Sequence, residues 1–388
     1  MDLLRPNAQP SYRSLRIEGA RLHWCEIPGP SDATAVPLLL LHGLHDSHLS
    51  WQHVAPLFGT TRRVLMPDLL GCGLSDRPDA TYELSWHARV IAQWLEAIGV
   101  LEVDVVGHSF GGGVGQMLLL ESAVRVRRLG LLASGGLGRD VGVWLRLATL
   151  PLVESFGQPF MRHGTRYFLR SLNPSLRVED LERMSAMNAR KGSARAFART
   201  VRDVIDWRGQ RRMFFERAHE VANLPPVLIC WGDRDGVIPI EHGIAFARAV
   251  DCVTFHRIEG AGHWLHHERP EQVVEALRAF IDEPQLDCIR LRPAPKPLLA
   301  RTVDRLRGLG GKLLKPASVP ARPVSVPARV AVAEAALPLV PVLPLVPVLT
   351  SAFVVAEPAE RAATVRLPWH RAIARWVASR TFLRARRA

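Results

Sequence analysis

At 388 residues and 48% apolar content, the chain is long enough to bury one or two sizeable cores and too apolar to be largely disordered. Its net charge of +13 sits at the far end: residues 285–388 carry 18 Lys/Arg against 5 Asp/Glu, whereas the first 284 carry 32 of each. The front part therefore gives no electrostatic reason to expect nucleic acid as a partner.

The opening segment, MDLLRPNAQPSYRSL, lacks the continuous apolar stretch of a signal peptide, and a cytoplasmic location is expected. Five scattered cysteines (Cys25, Cys72, Cys230, Cys252 and Cys288) form no CxxC pair. They predict reduced thiols rather than a disulfide framework or a zinc site. From about Arg21 to Ile281, short apolar runs alternate with helical patterns, the rhythm of a mostly parallel sheet covered by helices. The strands expected are VPLLLLHG (36–43), RVLMPDLL (63–70), VDVVG (103–107), VRRLGLLAS (126–134), PPVLICWGD (225–233) and CVTFHRIEG (252–260). Runs this apolar fit strands buried on both faces. Each ends in Gly, Asp, Ser or His, at the side where ligands of open α/β sheets bind.

The rhythm breaks between Leu137 and Ala222, where Arg, Leu, Met and Phe recur at helical spacing without a clear strand. About 85 residues exceeds what a crossover needs, so a helical insertion over the strand ends is expected. After Glu283 the composition turns basic and rich in Pro, Val and Ala. Pro338, Pro341, Pro344 and Pro347 recur every third residue, the period of polyproline II. The uncharged stretch 335–356 is long enough to span a bilayer, but four prolines at that spacing argue against a membrane helix. Near 368–386, Trp369, Ile373, Trp376, Val377 and Leu383 share one helical face with arginines largely elsewhere. Peripheral contact with a membrane surface and a disordered basic tail are equally compatible with that pattern.

The chemistry concentrates in four segments. Gly107-His108-Ser109-Phe110-Gly111 places a serine between glycines at a strand–turn–helix junction, the nucleophile-elbow pattern. His42-Gly43 closes an apolar strand, Asp233 and Asp235 follow a late one, and His263 sits between a glycine turn and a helix. A serine is a weak nucleophile at its own pKa and needs a base within hydrogen-bond reach, here His263, and a carboxylate to fix that imidazole's tautomer. The order Ser, Asp, His is the one expected of the α/β-hydrolase fold.

On these segments the sequence resembles the α/β-hydrolase family from about residue 15 to 283, and the segment DLLGCGLSDRP (68–78) matches the family's loop after its fourth strand. The resemblance implies a core of residues 1–136 and 223–283, a helical cap at 137–222, and a tail (284–388) with no counterpart. It selects Asp235 through the pattern Trp231-Gly232-Asp233-Arg234-Asp235, with Asp233 as runner-up and turn residue. It selects His263 over His266 and His267, which are expected on the surface. Oxyanion donors are expected from the backbone of Phe110 and of Leu44, with His45 the alternative for the latter.

A serine nucleophile, where dehalogenases and epoxide hydrolases of the family use aspartate, points to acyl transfer on an ester, thioester or related small molecule, without a cofactor. The segment SGGLGRD (134–140) and Gly262-His263-Trp264 are also similar to carbon–carbon bond hydrolases of aromatic ring-fission products. A non-catalytic binding protein is the third reading, disfavoured because serine, acid and base are all present. His42, His45 and His48 lie three apart, but the oxyanion loop accounts for His42-Gly43 and no metal is expected. Cys72 is expected as a small loop residue, His108 as packing beneath the elbow, and Trp264 in pocket or core. Arg162, Arg166 and Arg190 would either bind an acidic substrate or line an exposed helix face.

Overall fold

The computed structural model of the chain describes residues 9–172, 176–251 and 253–282. The tail with its proline period and its basic amphipathic stretch lies outside the described residues, as do Cys252 and Cys288.

Ten strands form: β1 (Ser11–Ile17), β2 (Ala20–Ile27), β3 (Leu38–Leu41), β4 (Val64–Asp68), β5 (Glu102–His108), β6 (Arg125–Leu132), β7 (Ile205–Asp206), β8 (Gly209–Gln210), β9 (Val227–Gly232) and β10 (Val253–Ile258). Eight of them make one sheet in the order β1-β2-β4-β3-β5-β6-β9-β10, parallel from β4 to β10. All six apolar runs singled out in the sequence are strands of this sheet. Their composition explains the architecture. The four leucines of β3 and all six residues of β9 are buried, so neither strand offers a face to water and both must be covered from two sides. Each fully buried leucine contributes on the order of 2 kcal/mol.

An antiparallel edge hairpin, β1–β2, had no apolar run to announce it, because β1 buries only Ile17. Its two-residue turn is Glu18 (φ 48°) and Gly19 (φ 80°), both in the left-handed region that a tight hairpin demands.

The helices are α1 (Ala55–Phe58), α2 (Leu84–Ala97), α3 (Phe110–Glu121), α4 (Val143–Leu147), α5 (Leu152–Phe156), α6 (Met161–Leu172), α7 (Val178–Asn188), α8 (Ser193–Val204), α9 (Phe214–Arg217), α10 (Glu241–Ala249), α11 (Leu265–Glu268) and α12 (Pro270–Asp282). Helix α3 packs on β3, β5 and β6, while α10 and α12 pack on β9 and β10. Between β6 and β9 the chain forms α4 to α9 and, against the expectation of no strand there, the two-residue ladder β7–β8.

The strand order reverses at β3: the chain steps outward to β4, then returns to place β5 on the other side of β3. Such a reversal opens a crevice at the carboxyl ends of the two strands. His42-Gly43 and Ser109 leave the sheet there, from neighbouring strands in register at Leu41 and Gly107.

Candidate active site

The elbow can be derived from its glycines. Helix α3 has Gly at 111, 112, 113 and 115, and each costs about 1 kcal/mol relative to Ala in a helix interior. Packing explains the cost. A Cβ on Gly111 would land against the carbonyls of Leu41 and His42, one on Gly112 against the Ser134 hydroxyl, and one on Gly107 against the carbonyl of Gly111. The close approach of α3 to β3 and β5 leaves no room for side chains. It forces Ser109 into φ 52°, ψ −114°, a conformation that only over-determined surroundings maintain in a non-glycine residue. Its backbone is held by an N–H donated to the Leu132 carbonyl (2.9 Å) and a carbonyl that accepts from Gly112 (3.1 Å) and Gly135 (3.1 Å).

From that position the Ser109 Oγ lies 3.0 Å from Nε2 of His263, whose Nδ1 lies 2.8 Å from Oδ2 of Asp235. The partners assign the proton: Nδ1–H donates to the carboxylate, and Nε2 is free to accept from the serine. Asp235 is in turn aimed by its other oxygen, which accepts from the N–H groups of Val237 (2.8 Å) and Ile238 (3.0 Å). Asp233 is placed elsewhere: its Oδ1 accepts from Gly260 N–H (2.8 Å) and its Oδ2 pairs with Arg257 (3.6 Å). Three residues separated by up to 154 positions therefore meet at one edge of the sheet.

Leu44 and Phe110 both line the cavity over Ser109. Phe110 opens α3, where the first N–H groups have no intrahelical acceptor. His45, the alternative donor, adopts φ 58° and packs its ring against that of Phe197, tilted by 59° with centroids 5.1 Å apart.

His42, His45 and His48 do not converge. His42 Nδ1 donates to the Gly43 carbonyl (2.8 Å) and its Nε2 accepts from Leu69 N–H (3.0 Å), while His48 turns to Asp68. Asp68 is a hub that the sequence did not disclose. Its buried carboxylate accepts from His48 N–H (2.7 Å), His48 Nδ1 (2.9 Å), Leu74 N–H (2.8 Å) and His23 Nδ1 (3.1 Å). Burial alone would push this carboxyl up, but the bonds from His23 and His48 hold it well below the usual range. Among the described residues His23, His48 and Asp68 are the one group close enough to share an ion, and its imidazole Nδ1 atoms are spent on the carboxylate.

Two expectations are corrected. His266 is fully buried, not on the surface: α11 turns inward, and its Nε2 meets the Ser50 hydroxyl at 2.8 Å, which itself reaches Asp46 at 2.9 Å. His267 is partly buried, with its ring 4.7 Å from that of His266. His108 does more than fill space. Its Nε2 donates to the backbone carbonyl of His263 (2.9 Å), and its ring lies 4.9 Å from that of His263 and 4.5 Å from that of His266. Burial holds His108 and His266 well below the ordinary imidazole pKa, so the ring beside His263 is neutral. Asp46, also in the cavity lining, is pushed up to about 7 by burial, against bonds from Ser47 N–H and the Ser50 hydroxyl. Cys72 is a loop residue whose thiol burial raises to about 12.

Above the triad lies a cavity of about 450 Å³ whose lining is predominantly apolar. The insertion supplies Trp144, Phe160, Phe168, Met184 and Phe197, and Trp264 closes it beside His263. Arg162 and Arg166 both pair with Glu182, Arg190 donates to the Gly73 carbonyl (2.9 Å), and none of the three lines the cavity. Arg212 does, with its guanidinium bonded to Asp203 (Nε–Oδ1 3.1 Å).

Comparison with known proteins agrees with this geometry. Residues 36–270 match the family model described as the alpha/beta hydrolase fold. An uncharacterised protein of Mycobacterium tuberculosis is 31% identical over 72% of this chain and 83% of its own. A 2-hydroxymuconate semialdehyde hydrolase of Pseudomonas sp. is 27% identical over 64% of this chain and 87% of its own. The crystal structure of Cfl2 from Burkholderia cenocepacia superposes with a TM-score of 0.61 at 25% identity, over 70% of this chain and 95% of that one. The chain belongs to the alpha/beta hydrolase fold family and is a hydrolase.

Proposed function

We propose that the protein is a serine hydrolase that cleaves an apolar ester, thioester or related acyl substrate through an acyl-enzyme. The observation that carries this reading is the unbroken chain Ser109 Oγ–His263–Asp235, at 3.0 and 2.8 Å, beneath an apolar cavity. His263 takes the hydroxyl proton as Oγ bonds to the substrate carbonyl carbon, and Asp235 stabilises the imidazolium that forms. The oxyanion is received by the N–H groups of Phe110 and Leu44, each worth about 3 kcal/mol in the transition state. As the tetrahedral species collapses, His263 returns the proton to the leaving group. Water then repeats the sequence on the acyl-enzyme, releasing the acid and restoring Ser109.

The lining favours an uncharged substrate. A carboxylate buried in this cavity would need a cation, and Arg212, the one cationic side chain in the described lining, is engaged by Asp203. Carbon–carbon bond cleavage of a ring-fission dienone is the second reading, favoured by the relatives named as hydrolases of such compounds. The test is turnover of p-nitrophenyl esters and of ring-fission dienones, with fluorophosphonate labelling, by the wild type and Ser109→Ala. Ester turnover and labelling lost in the variant are expected. A variant that keeps both would refute the acyl-enzyme, and dienone turnover exceeding ester turnover would select the second reading.

A further inference from the structure

Fifteen large apolar side chains stand exposed among the described residues, and eight fall between positions 143 and 167. Val143, Trp144, Leu152, Phe156, Phe160 and Tyr167 are among them, with Tyr167 78% and Trp144 68% exposed. Exposed apolar residues scattered singly need no explanation, but a group of this density marks a contact surface. Helices α4 and α5 contain no buried residue. Their inner sides, through Trp144, Leu145 and Val153, line the cavity. They form a roof one helix thick, apolar towards both cavity and solvent.

Charge indicates what meets the outer side. Residues 137–222 hold 16 Lys/Arg and 9 Asp/Glu, a net +7, while the rest of the first 284 residues holds 16 and 23, a net −7. Arg162 and Arg166, on α6 beside Tyr167, are more than half exposed. Residues 143–172, which hold α4 to α6, carry four arginines against one glutamate, a net +3, so a second copy offering the same face would set like charge against like, and the +13 tail is repelled likewise. An anionic, apolar-cored partner is complementary to it, and a surface of aromatic and aliphatic residues flanked by arginines is what lies in the interface of an acidic bilayer.

We propose that the outer face of α4 to α6 docks on an anionic lipid surface, placing the cavity mouth, at Trp144 and Phe160, against the lipid. That the lipid also supplies the acyl substrate rests on the function proposed above; docking does not. The full-length Ser109→Ala chain is mixed with phosphatidylcholine vesicles, with and without phosphatidylglycerol, and compared with the same chain carrying Leu152→Ser, Phe156→Ser and Tyr167→Ser, none of which lines the cavity. Binding to the anionic vesicles is expected to fall about tenfold or more in the altered chain. Phe156→Trp, which keeps the apolar surface, is expected to bind as the parent does, and Tyr167→Ser alone replaces the triple change if the latter fails to fold. Equal binding by the altered and parent chains overturns the proposal, since the basic tail would then account for adsorption. So does a concentration-dependent dimer that the altered chain loses, which would assign the face to a second copy. In a separate arm with the wild type, fluorophosphonate labelling of Ser109 without fatty-acid release from vesicles overturns the lipid as substrate and leaves the acyl-hydrolase reading intact.

Discussion

Lowering the pH from 6.5 to 5.5 is expected to weaken this fold through histidines that do not meet water. His87, His108 and His266 are each at most 2% exposed, and burial holds their imidazoles below the ordinary value near 6.5, His87 at about 3. Because the folded pKa lies below the unfolded one, the unfolded chain takes up protons in this window that the folded chain refuses. Stability is therefore complete above 6.5 and is lost as the pH falls. An unfolded histidine passes from half to about nine-tenths protonated over that unit, a loss of about 1 kcal/mol each and about 3 for the three. Asp46 acts in the opposite sense. With its carboxyl raised to about 7, the folded state holds most of a proton that the unfolded state lacks, which returns about 1 kcal/mol. His45, held at about 3, and His267, held at about 4, act in the same sense as the three histidines and add about 1 kcal/mol each, so the net loss is about 4 kcal/mol, a Tm lower by about 8 °C for a domain of this size. Thermal unfolding followed by tryptophan emission at half-unit pH steps measures it, and His87→Leu is expected to remove about 1 kcal/mol of the dependence. A Tm that is flat or rises on acidification, or a His87→Leu chain with an undiminished slope, refutes the argument.

Asp235→Asn is expected to keep the fold and lower kcat for ester hydrolysis by about 10⁴-fold, measured per fluorophosphonate-titrated site, because an amide presents the wrong tautomer partner to His263. Gly111→Ala places a Cβ against the backbone carbonyls of Leu41 and His42, which cannot yield as a flexible side chain would. Urea unfolding is expected to show a loss of about 2 kcal/mol, and a change within error would mean that the α3–β3 approach is looser than described. Met184→Trp fills part of the cavity, and kcat/KM for an octanoyl ester relative to an acetyl ester is expected to fall by about tenfold. Equal change for both esters would place the acyl chain elsewhere.

The features that could be read along the chain are those that chemistry confines to short segments. β3 and β9 are visible because strands buried on both faces have no polar alternation, and Ser109 because its glycines are required by contacts within a few residues and with the ends of the two strands beside β5. What escaped depends on partners far away in sequence. β1 has six partly or fully exposed residues out of seven and acquires its strand character only by pairing with β2. His266 looks like part of a polar helix start until Ser50, 216 positions earlier, supplies its bond. Asp68 is one more carboxylate at a strand end until His23 and His48 fold onto it from both sides. A buried polar residue is legible only with its partner, and its partner is set by topology.

Ser109 and its supports come from the sheet and α3, whereas the aromatic walls above it come largely from one excursion between β6 and β9. Under the acyl-enzyme function proposed above, reactivity and selectivity are encoded in separate stretches of the gene. A library randomised only at cavity-facing positions of 143–204 should broaden or redirect which molecules are accepted while every member still reacts with the smallest phosphonate warhead. Diversification can proceed there without re-solving the harder problem of holding a strained serine in place.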